Sequence, residues 1–223
     1  MSGNKSIKEE NKKSVIIFIL FFAAIPFIES IFNIYQNQDD SIYKFLIAAV
    51  EILITYSIGY FLIDIVNPTL RDSLISLNFK NPLQASRYIK LCKKDKRIHK
   101  NQVEKLSKNS GNDQNSYWYN AIYTPSKNEK IVHEAHKDYL KYRDIFSGLL
   151  FITLISIVIL ILDYTIPSLK WIALISQTTS FDSLNQLAIF YFCATILIGY
   201  ISNKKAKRFV CNACIARFTI NKN

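Results

Sequence analysis

The residues best suited to metal or thiol chemistry are four cysteines and three histidines. Cys211 and Cys214 form a C-x2-C pair, and Cys92 and His99 are of the types that complete a tetrahedral zinc site. Zinc sites of this kind usually have a second pair at a similar spacing, and the sequence has none. We therefore expect reduced thiols and no metal, and the cysteines are too few for a disulfide scaffold.

His133 and His136 lie three positions apart with Glu134 between them, which is not the HExxH spacing of zinc proteases. We expect this pair to form a solvated helix face. Nothing in the sequence resembles a Walker loop, a G-x-S-x-G elbow or a paired-carboxylate site. The sequence therefore predicts neither an enzyme nor a cofactor.

Three acidic residues, Glu29, Glu51 and Asp64, fall inside strongly apolar segments. An ionisable group in the bilayer costs about 2.5–3.5 kcal/mol on insertion scales and usually has a function. Counted from the outer ends of their segments, Glu29 and Glu51 differ in depth by only about 6 Å at a rise of about 1.5 Å per residue. They are candidates for one shared polar site, whereas Asp64 lies near an end where its side chain can reach water.

Small and polar residues recur at helical spacing on two of these segments. One such seam contains Lys44, Ala48, Glu51, Thr55 and Gly59. The other contains Ala188, Tyr191, Thr195, Gly199 and Ser202. Seams of this kind serve close helix packing, the more frequent use, or form a wet pore wall. The carboxylate in the first seam favours a pore or a proton-sensitive contact. The candidate polar residues of a pore are Glu51, Glu29, Thr55 and Asp64.

A basic cluster in the middle of the chain offers a second kind of chemistry, the binding of anions. Its candidate ligand-binding cations are Arg87, Lys90, Lys93, Lys94, Lys96, Arg97 and Lys100. Anionic lipid is the simpler partner, at about 1 kcal/mol per cation. The more specific hypothesis is that the cluster binds an oligonucleotide or nucleotide, because Tyr117, Trp118 and Tyr119 could stack on its bases. Those aromatic residues could equally belong to the membrane interface or to a small helical core.

The elements that must position these residues are predicted from hydropathy. Half of the 223 residues are hydrophobic, mean hydropathy is +0.11, and the net charge is nevertheless +11. Because a span needs about 20 apolar residues, four segments qualify as transmembrane helices: 15–34, 42–66, 146–165 and 184–201. The first begins with the run VIIFILFFAAIPFI and lacks a cleavage site, so we interpret it as a retained span.

The positive-inside rule gives the orientation. All but two of the 28 Lys and Arg residues lie in 1–14, 67–145 and 202–223, and the exceptions are Lys44 and Lys170. We predict that 1–14 and 202–223 are basic cytosolic tails and that 67–145 is a basic helical cytosolic domain. Segments 15–66 and 146–201 are then transmembrane hairpins.

Local signals divide the cytosolic domain into helices. Asn67 and Asn81 each precede a proline and are predicted N-caps. An apolar stripe of Ala85, Tyr88, Ile89 and Cys92 predicts one helix, and a second should carry Ile98, Val103 and Leu106. Residues 109–116 form the predicted loop. From about Lys127 a helical pattern continues without a breaker into the third span, so one long helix should link cytosol and membrane.

Three segments carry a resemblance to a known group of proteins: SYWYNAIYTP, VHEAHKDYLKYRDIFSGLL and the RFV that follows the last span. With the span layout, they resemble small bacterial inner-membrane proteins of anti-phage defence, of the kind of the Hailong effector or the membrane subunit of Kiwa. The resemblance implies an oligomeric inner-membrane protein whose cytosolic part receives a signal or a partner.

The sequence thus predicts an all-α, polytopic, homo-oligomeric membrane protein, for example a tetramer, in the bacterial inner membrane. Its predicted function is a membrane effector of antiviral defence that forms an ion channel gated by an anionic nucleotide, oligonucleotide or protein partner. The alternative is a membrane anchor or sensor that recruits a cytosolic nucleic-acid-binding partner. A transporter is disfavoured because no internal repeat and no pair of broken spans is visible.

Overall fold

A computed structural model describes residues 6–25, 41–61, 63, 67–109, 113–166 and 184–220. These residues form helices and no strands, which confirms the predicted all-α class. The α-helices are α1 Ile7–Ala24, α2 Ser41–Phe61, α3 Pro68–Ser76, α4 Tyr88–Lys94, α5 Lys100–Asn109, α6 Gln114–Tyr117, α7 Thr124–Ser126, α8 Lys130–Thr165 and α9 Leu184–Ile220. A 3-10 helix, Gln84–Arg87, precedes α4, and a π-helix, Trp118–Tyr123, follows α6.

The chain divides into two compact units. The first, here called the basic unit, comprises Met1–Asn11, Asn67–Arg143 and Gly199–Asn223. The second, the apolar unit, comprises Lys12–Val66 and Asp144–Ile198. The division after residue 66 falls where the sequence ends its second predicted span. Of the predicted tail 202–223, the described residues 202–220 continue α9 in the basic unit.

The start of α3 follows the predicted capping signal. Asn67 Oδ1 accepts a hydrogen bond from the Thr69 amide at 2.9 Å, and Pro68 occupies the first turn, where its missing N–H is harmless. The equivalent prediction at Asn81 is wrong. The next helix begins only at Gln84, and its cap is Leu83, which makes no side-chain hydrogen bond. An Asn-Pro pair alone does not set a helix start, because turns use the same pair.

The predicted apolar stripes form the core of the basic unit. Ala85, Tyr88 and Cys92 are buried, and Ile89 packs against the same cluster. The other predicted stripe, Ile98, Val103 and Leu106, is buried with them. The terminal part of α9 completes the core with Phe209, Val210, Ala213, Cys214 and Ala216. Part of the predicted tail thus contributes side chains to this core.

The aromatic segment at 118–123 is a π-helix, a rare and wide form that often occurs at functional sites. Its carbonyl groups accept hydrogen bonds from hydroxyl groups of the following turn. Thr124 Oγ1 donates to the Tyr119 carbonyl at 2.8 Å, and Ser126 Oγ donates to the Ile122 carbonyl at 2.7 Å. The wide turn holds Trp118 and Tyr123 with their rings stacked at 5.5 Å.

The predicted long helix is confirmed, because α8 runs without interruption from Lys130 to Thr165. In the described part of the chain, two helices, Lys130–Thr165 and Asn185–Ile220, are long and apolar enough to cross a membrane. Both have a basic, polar part and an apolar part. Each of these helices therefore contributes residues to the basic unit and to the apolar unit.

The apolar unit has an inner packed face and an apolar surface. Val15, Ile19 and Ala23 recur every four residues on α1 and are buried, as are Leu149 and Ile152 on α8. Large apolar side chains remain exposed on all four of its described helices, among them Phe21, Leu53, Val158 and Phe192. Exposed apolar surface of this extent marks contact with a membrane or with other proteins.

Candidate ligand-binding site

An aromatic cluster in the basic unit surrounds the imidazole of His136. The Phe209 ring lies parallel to it with centroids 4.5 Å apart, and Tyr123 meets it edge-on at 5.4 Å. The Tyr123 hydroxyl and His136 Nδ1 are 3.0 Å apart and share a hydrogen bond. Tyr139 and Trp118 both pack on Phe209, at 6.2 and 5.4 Å. Residues from α8, α9 and the π-helix thus form one stacked group.

These rings line a cavity of about 250 Å³ that is partly open to solvent. Its apolar wall is completed by residues before and within the 3-10 helix and by Ile75 of α3. The polar lining residues are Asp72, Ser76, Gln84 and Asn115. Ligand sites usually have this composition, a mostly apolar or aromatic wall with a few fixed polar groups.

Two lining residues hold polar atoms with no hydrogen-bond partner in the described structure. Trp118 is only 4% exposed and its indole Nε1–H has no acceptor. Gln84 is 7% exposed; its Nε2 donates to Asn203 Oδ1 at 2.6 Å, and its Oε1 has no donor. Leaving a buried donor or acceptor unpaired costs about 1–3 kcal/mol. Neither atom has accessible surface, so neighbouring side chains cover both of them.

Asp72 and Tyr139 form a hydrogen-bonded pair in the cavity lining. The Tyr139 hydroxyl donates to Asp72 Oδ1 at 3.0 Å. Burial, and next the nearby Asp72 carboxylate, raise the pKa of Tyr139 well above its ordinary value. The phenol therefore stays protonated and acts as a donor to Asp72, which orients both side chains along the cavity.

His136 contradicts the prediction of a solvated histidine face. Its ring is half-buried against Tyr123 and Phe209, and burial lowers its pKa from 6.5 to about 4. The positive charges of Arg143 and His133 lower this pKa further. The imidazole is neutral at pH 7, so it can stack and accept a hydrogen bond. The prediction fails because it leaves out the end of α9, whose Phe209 covers this face of α8.

The seven predicted anion-binding cations occupy different environments. Lys90, Lys93, Lys94, Lys96 and Lys100 are exposed. Arg97 donates to Asp95 at 2.6 and 2.9 Å and to Asn212 Oδ1 at 3.1 Å. The hydrogen bond with Arg97 lowers the pKa of the Asp95 carboxyl. Arg97 is thus a structural link to α9, while the lysines form an exposed basic surface.

Arg87 differs from both groups. It is half-buried, and its Nε and Nη2 atoms are shielded from solvent without a hydrogen-bond partner among the described residues. The three predicted stacking residues are also separated. Tyr117 stacks on Tyr88 at 6.3 Å, Trp118 is buried beside the cavity, and Tyr119 lines the cavity while remaining 55% exposed. They do not form one exposed stacking surface.

Three of the four cysteines meet inside the basic unit. The Cys92 thiol forms hydrogen bonds with Cys211, which lowers its pKa, and with Cys214, which raises it; burial adds to a large net rise. The hydrogen bond with Cys92 and burial raise the pKa of Cys211. These thiols are free and buried. Among the described residues no group of histidine, cysteine and acidic side chains could hold a metal ion, and His99 is exposed.

The structure does not describe the side chains of the three predicted intramembrane acids. Glu29, Asp64 and the side chain of Glu51 lie outside the described residues, and Thr55 on α2 is half-buried. The second seam is used for packing: Ala188, Tyr191, Thr195 and Ser202 are buried, as is Gly199. Thr195 Oγ1 and Thr153 Oγ1 share a hydrogen bond of 2.7 Å between α9 and α8.

Sequence reasoning missed most of the residues that line the cavity. Gln84, Asp72, Tyr139 and Phe209 come from separate parts of the chain. Tyr139 and Phe209 lie in two of the segments that carry the resemblance, where the sequence indicates no ligand-binding role for them. The only available signal is aromatic density near 117–123 together with Phe209 in a segment predicted to be a tail. No family model matches the chain, and no curated protein or solved structure matches it. The function of the chain is therefore inferred from the geometry of the described residues.

Proposed function

We propose that the chain is a four-span protein of the bacterial inner membrane with both termini and residues 67–145 in the cytoplasm. Two helices able to span a bilayer, exposed apolar side chains on α1 and α2, and the segregation of basic residues support this topology. The proposed spans are 15–34, 42–66, 146–165 and 184–201.

Within that topology the proposed function is a ligand-gated membrane effector. The carrying observation is that both candidate spanning helices also line the aromatic cavity. Helix α8 contributes His136 and Tyr139, and α9 contributes Ala206, Phe209 and Val210. A ligand that displaces these residues acts directly on the helices that continue into the bilayer. The apolar segments would then respond without an intervening flexible linker.

The proposed output is an ion-conducting pore. Four spans from one subunit enclose no wide aqueous path, so the proposal requires a homo-oligomer with Glu51 around the pore. A ring of carboxylates at one depth favours cations. By its resemblance to membrane proteins of anti-phage defence, we place this activity in bacterial antiviral immunity, where loss of membrane potential stops growth of the infected cell.

The test is a depolarisation assay with a membrane-potential dye in bacteria that express the chain with and without its neighbouring genes. Glu51→Gln keeps the side-chain volume and removes the charge, so depolarisation should fall while the amount of folded protein is unchanged. Glu51→Lys should abolish it, because it places cations where the pore needs anions. Ser156→Ala is a matched control within a span, because the Ser156 hydroxyl donates to the Ile152 carbonyl of its own helix.

The anchor alternative gives a different result in the same assay. An anchor would recruit its cytosolic partner equally well with and without the Glu51→Gln change and would show no depolarisation in any variant. Loss of the folded oligomer on Glu51→Gln would instead make the glutamate a structural hydrogen-bonding group. Either result rejects the pore.

A further inference from the structure

We propose that the aromatic cavity binds a planar nitrogen heterocycle of about purine size, such as the base of a nucleoside or nucleotide. This inference rests on the proposed function, for which it names the class of gating ligand. It concerns the inside of the basic unit and is separate from the exposed lysine surface.

The size and wall of the cavity fit a flat ring. A cavity of about 150 Å³ accepts benzene, so about 250 Å³ has space for a two-ring heterocycle and excludes a dinucleotide. Aromatic side chains from three elements, Trp118, Tyr123 and His136 among them, line it. Any nucleic-acid base can stack on such rings through its own π-face, and this stacking contributes to affinity.

The two unpaired polar atoms restrict which hydrogen-bonding groups the ligand must carry. Trp118 has a buried N–H donor and Gln84 a buried carbonyl acceptor, and both residues line the cavity. Neighbouring side chains cover both atoms, so a ligand pairs with them only when the two side chains turn towards the cavity. An aliphatic or purely hydrocarbon ligand would leave both atoms unpaired. A heterocycle with an acceptor and a donor on its edges satisfies both, and sites built in this way strongly reject analogues that lack those atoms.

The charge of the wall favours a neutral ring. The described lining residues include Asp72 and no lysine or arginine, and Asp72 already accepts a hydrogen bond from Tyr139. A phosphate inside the cavity would meet this carboxylate without a compensating cation in the lining. The charged part of a nucleotide must therefore remain outside, which is possible because the cavity is partly open.

The experiment uses the full-length protein in detergent. A Trp171→Phe background leaves Trp118 as the only tryptophan of the chain, so its fluorescence reports the cavity. Titration with adenosine, guanosine, cytidine and uridine should quench it saturably for at least one nucleoside, whereas ribose 5-phosphate should have no effect. Isothermal titration calorimetry on the unmodified protein should rank the affinities of the nucleosides in the same order.

Matched variants then test the two polar atoms. Trp118→Phe keeps an aromatic ring and removes the donor, and Gln84→Met keeps the length and removes the acceptor. Each variant should raise the Kd of the bound nucleoside about tenfold, measured by isothermal titration calorimetry. Tyr117→Phe should leave Kd unchanged, since Tyr117 lies outside the cavity lining. If a variant fails to fold, the quenching of Trp118 still decides whether the cavity is occupied.

Absence of binding by all four nucleosides would overturn the inference, as would binding that both variants leave within twofold. The outcome is independent of the pore. Depolarisation without nucleoside binding would reject this ligand class and leave the effector in place. Nucleoside binding without depolarisation would keep the ligand site and reject the pore.

Discussion

The imidazole of His136 stacks on the phenyl ring of Phe209, with centroids 4.5 Å apart and planes inclined by 9°. The two residues come from α8 and α9, so this contact joins the two helices inside the basic unit. Burial of the His136 ring favours its neutral form. Protonation would bring a charge next to Arg143 and into an aromatic site, and the contact should therefore depend on pH.

We predict that acid weakens the basic unit through His136. Its pKa is about 4 in the folded chain and 6.5 ordinarily, so the unfolded state binds the proton first. The contribution of neutral His136 to the free energy of unfolding is fully present above about pH 6.5. It is lost as the pH falls towards 4, and the loss is at most about 3 kcal/mol. Thermal unfolding in detergent at a series of pH values measures the loss.

The controls are two histidine variants. His136→Phe should remove most of the pH dependence between 4 and 6.5, because the ring stays aromatic and no longer titrates. His133→Phe should retain it, since His133 makes no stacking contact with Phe209 among the described ring pairs. An identical pH profile in all three proteins would contradict the assignment.

Much of this fold could be predicted from local patterns. The continuous helix through Lys130–Thr165 follows from unbroken periodicity, and the cap at Asn67 from an Asn-Pro pair ahead of a helix. The stripe of Ala85, Tyr88 and Cys92 correctly predicts the buried residues at the start of this unit's core. These features depend on neighbours in sequence, which is why a single chain reveals them.

The cavity could not be predicted because its parts are distant in sequence. Local hydropathy assigns Phe209 to a tail, since the lysines and arginines that flank it dominate the average. Yet its ring stacks on His136, and this contact and the one with Tyr123 leave the histidine half-buried. The unpaired atoms of Gln84 and Trp118 likewise depend on three-dimensional packing, and no spacing in the sequence indicates them.

We predict that the three clustered thiols are protected in the folded protein. Cys92, Cys211 and Cys214 are buried, and hydrogen bonding and burial keep the thiols of Cys92 and Cys211 protonated. In a Cys193→Ser background, maleimide at about pH 7.5, below the ordinary cysteine pKa, should label no cysteine before unfolding and all of the remaining cysteines in denaturant. Mass spectrometry gives the count. Labelling of Cys211 in the native protein would contradict the buried cluster.

The hydrogen bond between Thr153 and Thr195 should stabilise the pairing of α8 and α9. Thr153 Oγ1 also lies 3.0 Å from the Tyr191 carbonyl. Thr153→Val keeps the shape and should cost about 1 kcal/mol in unfolding free energy, the usual scale for hydrogen bonds between membrane helices. Ser156→Ala is the matched control, because the Ser156 hydroxyl donates to the Ile152 carbonyl of its own helix. Equal costs would argue against an interhelical role.

The proposed topology predicts opposite accessibility for two introduced cysteines. Asp40→Cys should react with an impermeant maleimide added to the outside of intact cells, because 35–41 is the proposed external connection. Ser110→Cys should react only after permeabilisation, since it belongs to the proposed cytosolic segment 67–145. Both variants carry the Cys193→Ser change to lower the background. Labelling of Ser110→Cys in intact cells would overturn the orientation.

The last prediction separates the lysine surface from Arg97. The fourfold change of Lys93, Lys94, Lys96 and Lys100 to Gln removes exposed charges and should leave folding intact. If these lysines bind a single-stranded oligonucleotide, the slope of log affinity against log salt should become shallower by up to about 3, at about 0.7 per phosphate contact.

Arg97→Gln should behave differently, because Arg97 holds Asp95 and Asn212. It should lower the unfolding free energy by about 1 kcal/mol and change the salt slope little. Binding is measured by fluorescence anisotropy in phosphatidylcholine nanodiscs, where no anionic lipid competes. A chain that binds no oligonucleotide there, yet binds phosphatidylglycerol vesicles through the same four lysines, would identify the surface as a lipid contact. The oligonucleotide hypothesis would then be rejected, while the cavity inside the basic unit would be unaffected.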